Sequence, residues 1–455
     1  MNRTARRPTK LTLDATQGRL RLCTVLAAAG LAVCGPLAGR AAAQTARAWG
    51  RLSFFTDSAR VRTDADDGPS LTTFIGTATY RSAELAGDGV EFAIDSRSAG
   101  YSREGRDPRV SIYEAWMGVR QRGGKLAVRG GHLWIADLGA LGSLAGAQVE
   151  WRSAASGRRV RIGGFGGLEP SVLELGYARD VRRYGGYVTI EGDGLRRHTA
   201  GYVTVRHGAL TERSVLTTTN YVPVGRHVFV YQSAEVDLRG PGGQGAGGLT
   251  YLFANARVTP ARPLDVQATY HRGRSVDART ITQDILDGRP VPDKALDGLL
   301  FESLSTRVSV EVARGARVHA TIGRDRNNRD SESARRLGAG LYVSRLVRTG
   351  FDVTATYSRI DRGEPGTYHS HFLSIGRSIG PRVYLSADYT SSLSLVRFTQ
   401  SSGLIVETRP ETRRLSGSAV VNVSSRASVL VTVDRTDEGA TKEHRVVAGL
   451  SCRLP

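Results

Sequence analysis

Two of the nine histidines, His369 and His371, stand one residue apart. On an extended segment such positions project from the same face, so two imidazoles at this spacing could form half of a tetrahedral metal site. The neighbouring sequence supplies no cysteine and no compact group of Asp or Glu to complete it. The pair therefore reads as solvated polar surface. The run Gly163-Gly164-Phe165-Gly166-Gly167 lacks the Lys-Ser/Thr and the following helix of a phosphate loop. Glycine in a strand marks a bend or a close approach of other chain instead. No Ser, His and Asp stand together as a local triad motif, and a triad drawn from distant segments has no local signature. The sequence thus assigns no catalytic, cofactor-binding or metal-binding residue and implies no cofactor, which argues against an enzyme.

The densest cluster of charge lies in the link 273–298. Asp277, Asp284, Asp287, Asp293 and Asp297 stand there beside Arg274, Arg279, Arg289 and Lys294. Their order is not that of an EF-hand. Long links without regular structure are often functional, and two roles fit: a segment folded inward as a constriction, or a solvated loop outside. The solvated loop is the favoured expectation.

The elements that must carry these residues have period two. Leu264, Val266, Ala268 and Tyr270 alternate with Asp265, Gln267, Thr269 and His271. Phe351, Val353, Ala355 and Tyr357 alternate with Asp352, Thr354, Thr356 and Ser358, and Val383, Leu385, Ala387 and Tyr389 with Tyr384, Ser386, Asp388 and Thr390. Val446, Ala448, Leu450, Cys452 and Leu454 continue the pattern to the C-terminus. Each such segment is a strand with one apolar and one polar face. Tight turns at 122–124, 192–194, 223–225, 260–263, 314–315, 380–381 and 424–425 alternate with longer polar links at 56–69, 98–108, 133–143, 168–180, 237–247, 273–298 and 393–409. Short turn, strand, long loop, strand is the rhythm of an antiparallel up-and-down transmembrane β-barrel, with short periplasmic turns and longer extracellular loops. The count is about 22 strands, within a range of roughly 16–24. A soluble propeller or solenoid would bury both faces or repeat at one fixed period, and neither pattern is present.

Composition agrees. Glycine makes up 54 of 455 residues, too many for a mainly helical chain, since each interior glycine costs a helix roughly 1 kcal/mol relative to alanine. Three cysteines exclude a disulfide scaffold. Residues 1–43 carry a basic start, an apolar stretch from Leu22 to Leu37 and small residues at Ala41 and Ala43, the pattern of a secretory signal peptide cleaved after Ala43. Arg6-Arg7 precedes Pro8 rather than an apolar pair, and Val33 stands where a small residue would precede a lipidated Cys34, so neither twin-arginine export nor lipidation is expected. Cleavage would leave residues 44–455 as one barrel domain, lower the net charge from +20 to +14 and leave Cys452 as the sole cysteine. Strands begin near Ala46, which leaves no room after the leader for a plug domain. The basic residues are dispersed and almost all Arg, without a basic helix or RNA-binding signature, so nucleic acid is not an expected partner.

The phrases RVSIYEAWMGVR, KLAVRGGHLWIADLGALGSLAGAQVEWR, RIGGFGGLEP and VVAGLSCRLP resemble a group of largely uncharacterised, porin-like outer-membrane barrels of bacteria, through most of residues 46–455. The resemblance implies location in the bacterial outer membrane, contact with its lipid, and assembly by the barrel assembly machinery through a C-terminal signal. Leu450, Cys452 and Leu454 are the candidates for that signal. Such barrels usually close on an aromatic residue, commonly Phe, where this chain has Leu454 followed by Pro455.

The function expected on these grounds is passive diffusion of small hydrophilic solutes, with a weak preference for anions from the Arg excess. Asp265, Asp352, Asp388 and Asp434 are the candidate lumen-facing carboxylates. Tyr270, Tyr357 and Tyr389 share one phase on the apolar face and are candidates for an aromatic girdle. A structural or export-associated barrel working with a secretion partner is the alternative, and a barrel enzyme comes third. No motif resembles those of the outer-membrane phospholipases or proteases.

Overall fold

The computed structural model describes residues 48–454 except 64–67, 69, 86–88, 103–106, 121–123, 136–137, 139–141, 156–157, 171–175, 242–246, 331, 347–348, 364–365 and 400–404. The leader assigned to residues 1–43 lies outside the described residues. Along the chain come β1 (Ala48–Thr63), β2 (Ser70–Leu85), β3 (Val90–Tyr101), β4 (Arg109–Arg120), β5 (Leu126–Trp134), β6 (Ser143–Ala155), β7 (Arg158–Pro170) and β8 (Tyr177–Glu191). There follow β9 (Arg197–His207), β10 (Leu210–Val224), β11 (Val228–Arg239), β12 (Gly248–Ala261) and β13 (Leu264–Ser275). Two helices, α1 (Ala278–Leu286) and α2 (Asp293–Asp297), precede β14 (Leu299–Ala313), β15 (Ala316–Asn327), β16 (Ala334–Leu346), β17 (Phe351–Asp361) and β18 (Gly366–Ile379). The last are β19 (Val383–Thr399), β20 (Ile405–Thr408), β21 (Glu411–Asn422), β22 (Ala427–Glu438) and β23 (Thr441–Leu454).

Sequential strands pair antiparallel, and β1 closes on β23 in a register running from Gly50↔Leu454 to Thr63↔Thr441. β20 and β21 pair with successive stretches of the same strand, β19. They are two pieces of one stave, parted at Arg409-Pro410 because proline has no N–H to give the ladder. The result is a closed barrel of 22 antiparallel staves, as the alternation predicts. Strands run further than the sequence suggests: β1 reaches Thr63, β3 Tyr101 and β19 Thr399, inside segments read as links. In β1 polar residues continue the ladder beyond the apolar belt.

The two faces divide as the alternation requires. Met117, Val119, Trp151, Leu304, Ile322, Leu337, Leu415 and Val433 all stand exposed on the outer face. The inner face carries buried charged and hydroxyl side chains such as Glu150, Thr189, Thr217, Glu235 and Asp434. The first residue of β1, Ala48, and the last of β23, Leu454, lie at the rim that holds the connections 192–196, 225–227, 262–263, 314–315 and 380–382, here called the short-turn rim. The opposite, loop rim holds the connection 276–298 with its two helices, and also two tight connections, 208–209 and 439–440.

Candidate functional site

The link 276–298 does not project outward. Asp277 caps α1, its side chain accepting from the Thr280 N–H at 3.1 Å. The hydrogen bond from that backbone amide holds the exposed Asp277 carboxyl below its ordinary range. α1 rests on β10, with Ile281 and Thr282 buried. Arg279 reaches two carboxylates of the inner wall, Glu212 of β10 at 2.7 Å and Glu169 of β7 at 3.1 Å. Burial opposes the Arg279 charge, but the hydrogen bonds and charges of Glu212 and Glu169 outweigh it and raise its pKa. A segment joining β13 to β14 that grips β7 must fold inward over the barrel mouth along that wall. The solvated outer loop favoured from sequence is therefore corrected: two wall carboxylates, distant in sequence, neutralise Arg279 and draw the loop inward.

A second link joins it. Leu138, between β5 and β6, is buried with Leu133, Leu144, Phe165, Tyr187 and Val203 in a small core on the same inner wall. Gly201 makes this possible, because a Cβ there would strike the Leu138 side chain. Gly163, in the glycine run of β7, likewise leaves room for the Tyr187 ring. The run accommodates close packing and cradles no phosphate.

Between the wall and the infolded loop lies a cleft of about 740 Å³. Most of its charges are paired. Arg213 holds Glu235 at 2.9 Å and Asp237 at 2.8 Å, and Arg183 holds Glu169 at 3.0 Å. Strand register slips at Leu168/Glu169, Thr211/Arg213, Ser214/Val215 and Glu235/Val236, all around this cleft. Such bulges re-aim side chains, and here they gather groups from β7, β10 and β11.

From the cleft an aromatic ladder descends the inner wall. Phe301 lies 5.7 Å from His271, and His271 lies 5.6 Å from Tyr251 and 6.3 Å from Phe253 (centroid to centroid). Phe253 follows to Tyr231 at 5.7 Å, Tyr231 to Tyr221 at 4.7 Å, and Tyr221 to Phe229 at 6.4 Å. The rings come from five adjacent strands, β10 to β14. None is fully buried. The sequence reading missed them because it sought aromatics on the apolar face. The available signal was Phe229/Tyr231 and Tyr251/Phe253, two pairs at spacing two in the phase of the polar residues.

The four aspartates lie on the inner face in unequal settings. Asp265 is ion-paired with Arg257. Asp352 accepts the Arg345 backbone N–H at 2.9 Å. Asp434 is buried, 2.9 Å from Arg414 and opposite Arg445, which itself grips Asp57 across the closing seam. Asp388 faces Ser374 and Ser416 across the ladder and has no ion-pair partner among the described residues.

Tyr270, Tyr357 and Tyr389 lie on the outer face, each six residues beyond the first residue of its strand. Tyr270 stands beside Ala254 and Leu304, and Tyr389 beside Leu373 and Leu415. Tyr357 shares a 3.0 Å hydrogen bond with His369 and its ring lies 5.0 Å from His371. The histidine pair thus borders a tyrosine on the outer surface. Among the described residues, no group of three or more His, Cys, Asp and Glu could hold a metal ion. Leu450, Cys452 and Leu454 face outward opposite Phe54, Leu52 and Gly50.

No family model and no curated protein matches the chain. Among solved structures it is similar to Pseudomonas aeruginosa OpdO, with 11% identity over 90% of this chain and 98% of that one and a TM-score of 0.43. It is also similar to the translocation pore of the P pilus usher PapC, with 10% identity, 89% and 99% coverage and a TM-score of 0.48. For Pseudomonas aeruginosa OccK8 (OprE) the values are 11%, 90%, 98% and 0.40. The fold assignment itself rests on the strand pairing and closure described above.

Proposed function

We propose that this protein is a porin-like channel of the bacterial outer membrane through which small hydrophilic solutes diffuse passively. One observation carries the reading: a closed ring of strands presents exposed apolar side chains outward and polar ones inward, while its infolded loop occupies one wall only. An apolar exterior on staves of 9 residues or more suits a bilayer, and a barrel this wide has room for water unless it is filled. On this reading residues 1–43 are the export leader and 44–455 the barrel. The outward tyrosines sit among lipid headgroups, and the outer face of the last strand is the assembly signal.

The test is conductance of the purified mature protein in a planar bilayer under a KCl gradient. Stepwise currents are expected, with a reversal potential favouring chloride weakly. A correctly folded but electrically silent barrel would reject free diffusion and leave the export-associated role. Replacing Leu450 and Leu454 with Asp should block membrane assembly, read as loss of the heat-modifiable folded band.

A further inference from the structure

We infer that the aromatic ladder is a sliding track for a neutral, linear oligosaccharide. The inference rests on the channel reading and names its substrate class. Aromatic rings facing each other across strands can simply stabilise a sheet, but that role would not need them on the wet face. Nor would it need them joined without a break from the loop rim to the short-turn rim. Phe301 is the third residue of β14 from the loop rim, and Phe229 the second of β11 from the short-turn rim. The connected centroids are 4.7–6.4 Å apart.

A pyranose is apolar on its C–H faces and polar around its hydroxyl rim. It matches a half-exposed ring flanked by uncharged hydrogen-bonding groups. Such groups line the middle of the ladder, while Tyr251 faces the paired Glu235 and Phe229 the paired Arg257. Asn255 and Thr269, linked at 2.7 Å, sit beside Tyr231, and Ser233 and Ser303 sit beside Phe253 and His271. Three of the cleft's arginines, Arg183, Arg213 and Arg279, are occupied by glutamates and aspartates, so the track offers a neutral chain more than it offers an anion. A single flat aromatic solute would use one ring pair and leave the rest without purpose. A polymer of similar units exchanges each contact for the next as it advances, which keeps occupancy favourable and exit easy.

The mature protein, folded in detergent, is titrated calorimetrically with maltose, maltotriose and maltohexaose, and the same sugars are added to the bilayer while channel current is recorded. Affinity should rise by about tenfold from disaccharide to hexasaccharide as more rings are engaged. The double substitution Tyr231→Leu with Phe253→Leu keeps apolar bulk and removes the ring faces, and should weaken maltohexaose by about tenfold. Tyr342→Leu, a lumen tyrosine of β16 on the other wall, should change nothing, and heat-modifiable migration verifies folding of every variant. The idea is overturned by affinity independent of chain length, by a double variant that binds as well as the parent, or by benzoate binding where the glucan does not. A silent bilayer with intact, ring-dependent calorimetric binding would reject the channel reading alone and leave the track standing.

Discussion

The wall from β3 to β14 and the wall from β15 to β23 are built from the same alternating strands, yet they differ in what stands inside them. On the first wall, glutamates are buried and gripped: Glu91 by Arg120 and Arg129, Glu114 by Arg81, and Glu150 by Arg152, Arg161 and Tyr187. Two links fold onto that wall and bury Leu138 and Ile281. On the second wall the inner positions are mostly Ser, Thr and Gly, and among the described residues of β15 to β23 only Ser416 and Asp434 are buried polar groups. One wall narrows the lumen and fixes its shape, and the other leaves space. A constriction in a barrel needs a stiff side to build on.

The largest expected difference between the walls is in stability. Glu150→Ala strips Arg152 and Tyr187 of a shared buried partner, leaves Arg161 with Glu191 alone, and should cost about 3–5 kcal/mol because it breaks a buried ion-pair network from one side. A polar substitution on the second wall, Ser386→Ala, should stay within about 0.5 kcal/mol. Equilibrium urea unfolding of the detergent-folded barrels measures both. Equal effects would dissolve the distinction between the walls.

Next comes the hold of the loop. Arg279→Ala removes both anchors to the wall, Glu212 and Glu169, while leaving α1 its cap. The loop should leave the lumen part of the time, so the open-channel current should rise and become noisier. Single-channel recording is the check, and an unchanged, quiet current would mean that the hydrophobic seat of Ile281 alone secures it.

How much of this was legible beforehand follows from locality. Alternation is local, so Leu264 to His271 or Val446 to Leu454 announces a two-faced strand without knowledge of its neighbours, and the barrel follows. The infolded loop is a non-local event. Nothing around Arg279 reveals that Glu169, more than a hundred residues earlier, will face it across the mouth. The α1 turn was obscured by reading 273–298 as a polar link, although Asp277 followed by Ala278, Ile281 and Ile285 is a cap and an apolar stripe. The ladder was hidden for a third reason. Its rings are scattered from Tyr221 to Phe301 and become neighbours only through the register of five strands.

A smaller effect should come from the cap of α1. The Asp277 carboxyl titrates below its ordinary range in the folded protein. Its contribution is therefore complete above the unfolded carboxylate pKa and is lost as pH falls through the lowered folded value. Acidification into that window should loosen the loop and raise current noise, in the same sense as Arg279→Ala but less. Asp277→Asn keeps a side-chain acceptor that does not titrate, and should flatten this particular pH dependence. A noise profile identical in both proteins would place the acid response elsewhere in the barrel.

The finest distinction lies on the second wall. Asp434 is engaged by Arg414, and Asp57 of β1 by Arg445 across the seam, whereas Asp388 has only serines opposite it. A paired carboxylate presents little field to a passing ion, and an unpaired one on an open wall presents most of its charge, reduced by salt within the Debye length. Asp388→Asn should therefore move the KCl reversal potential slightly toward chloride, more at low salt than at high. Asp434→Asn would release Arg414, while Arg445 stays held by Asp57, so it would change a carboxylate and an arginine at once. Only the Asp388 variant isolates the second wall's charge, and a reversal potential that stays fixed at low salt would mean that permeating ions keep to the other side of the lumen.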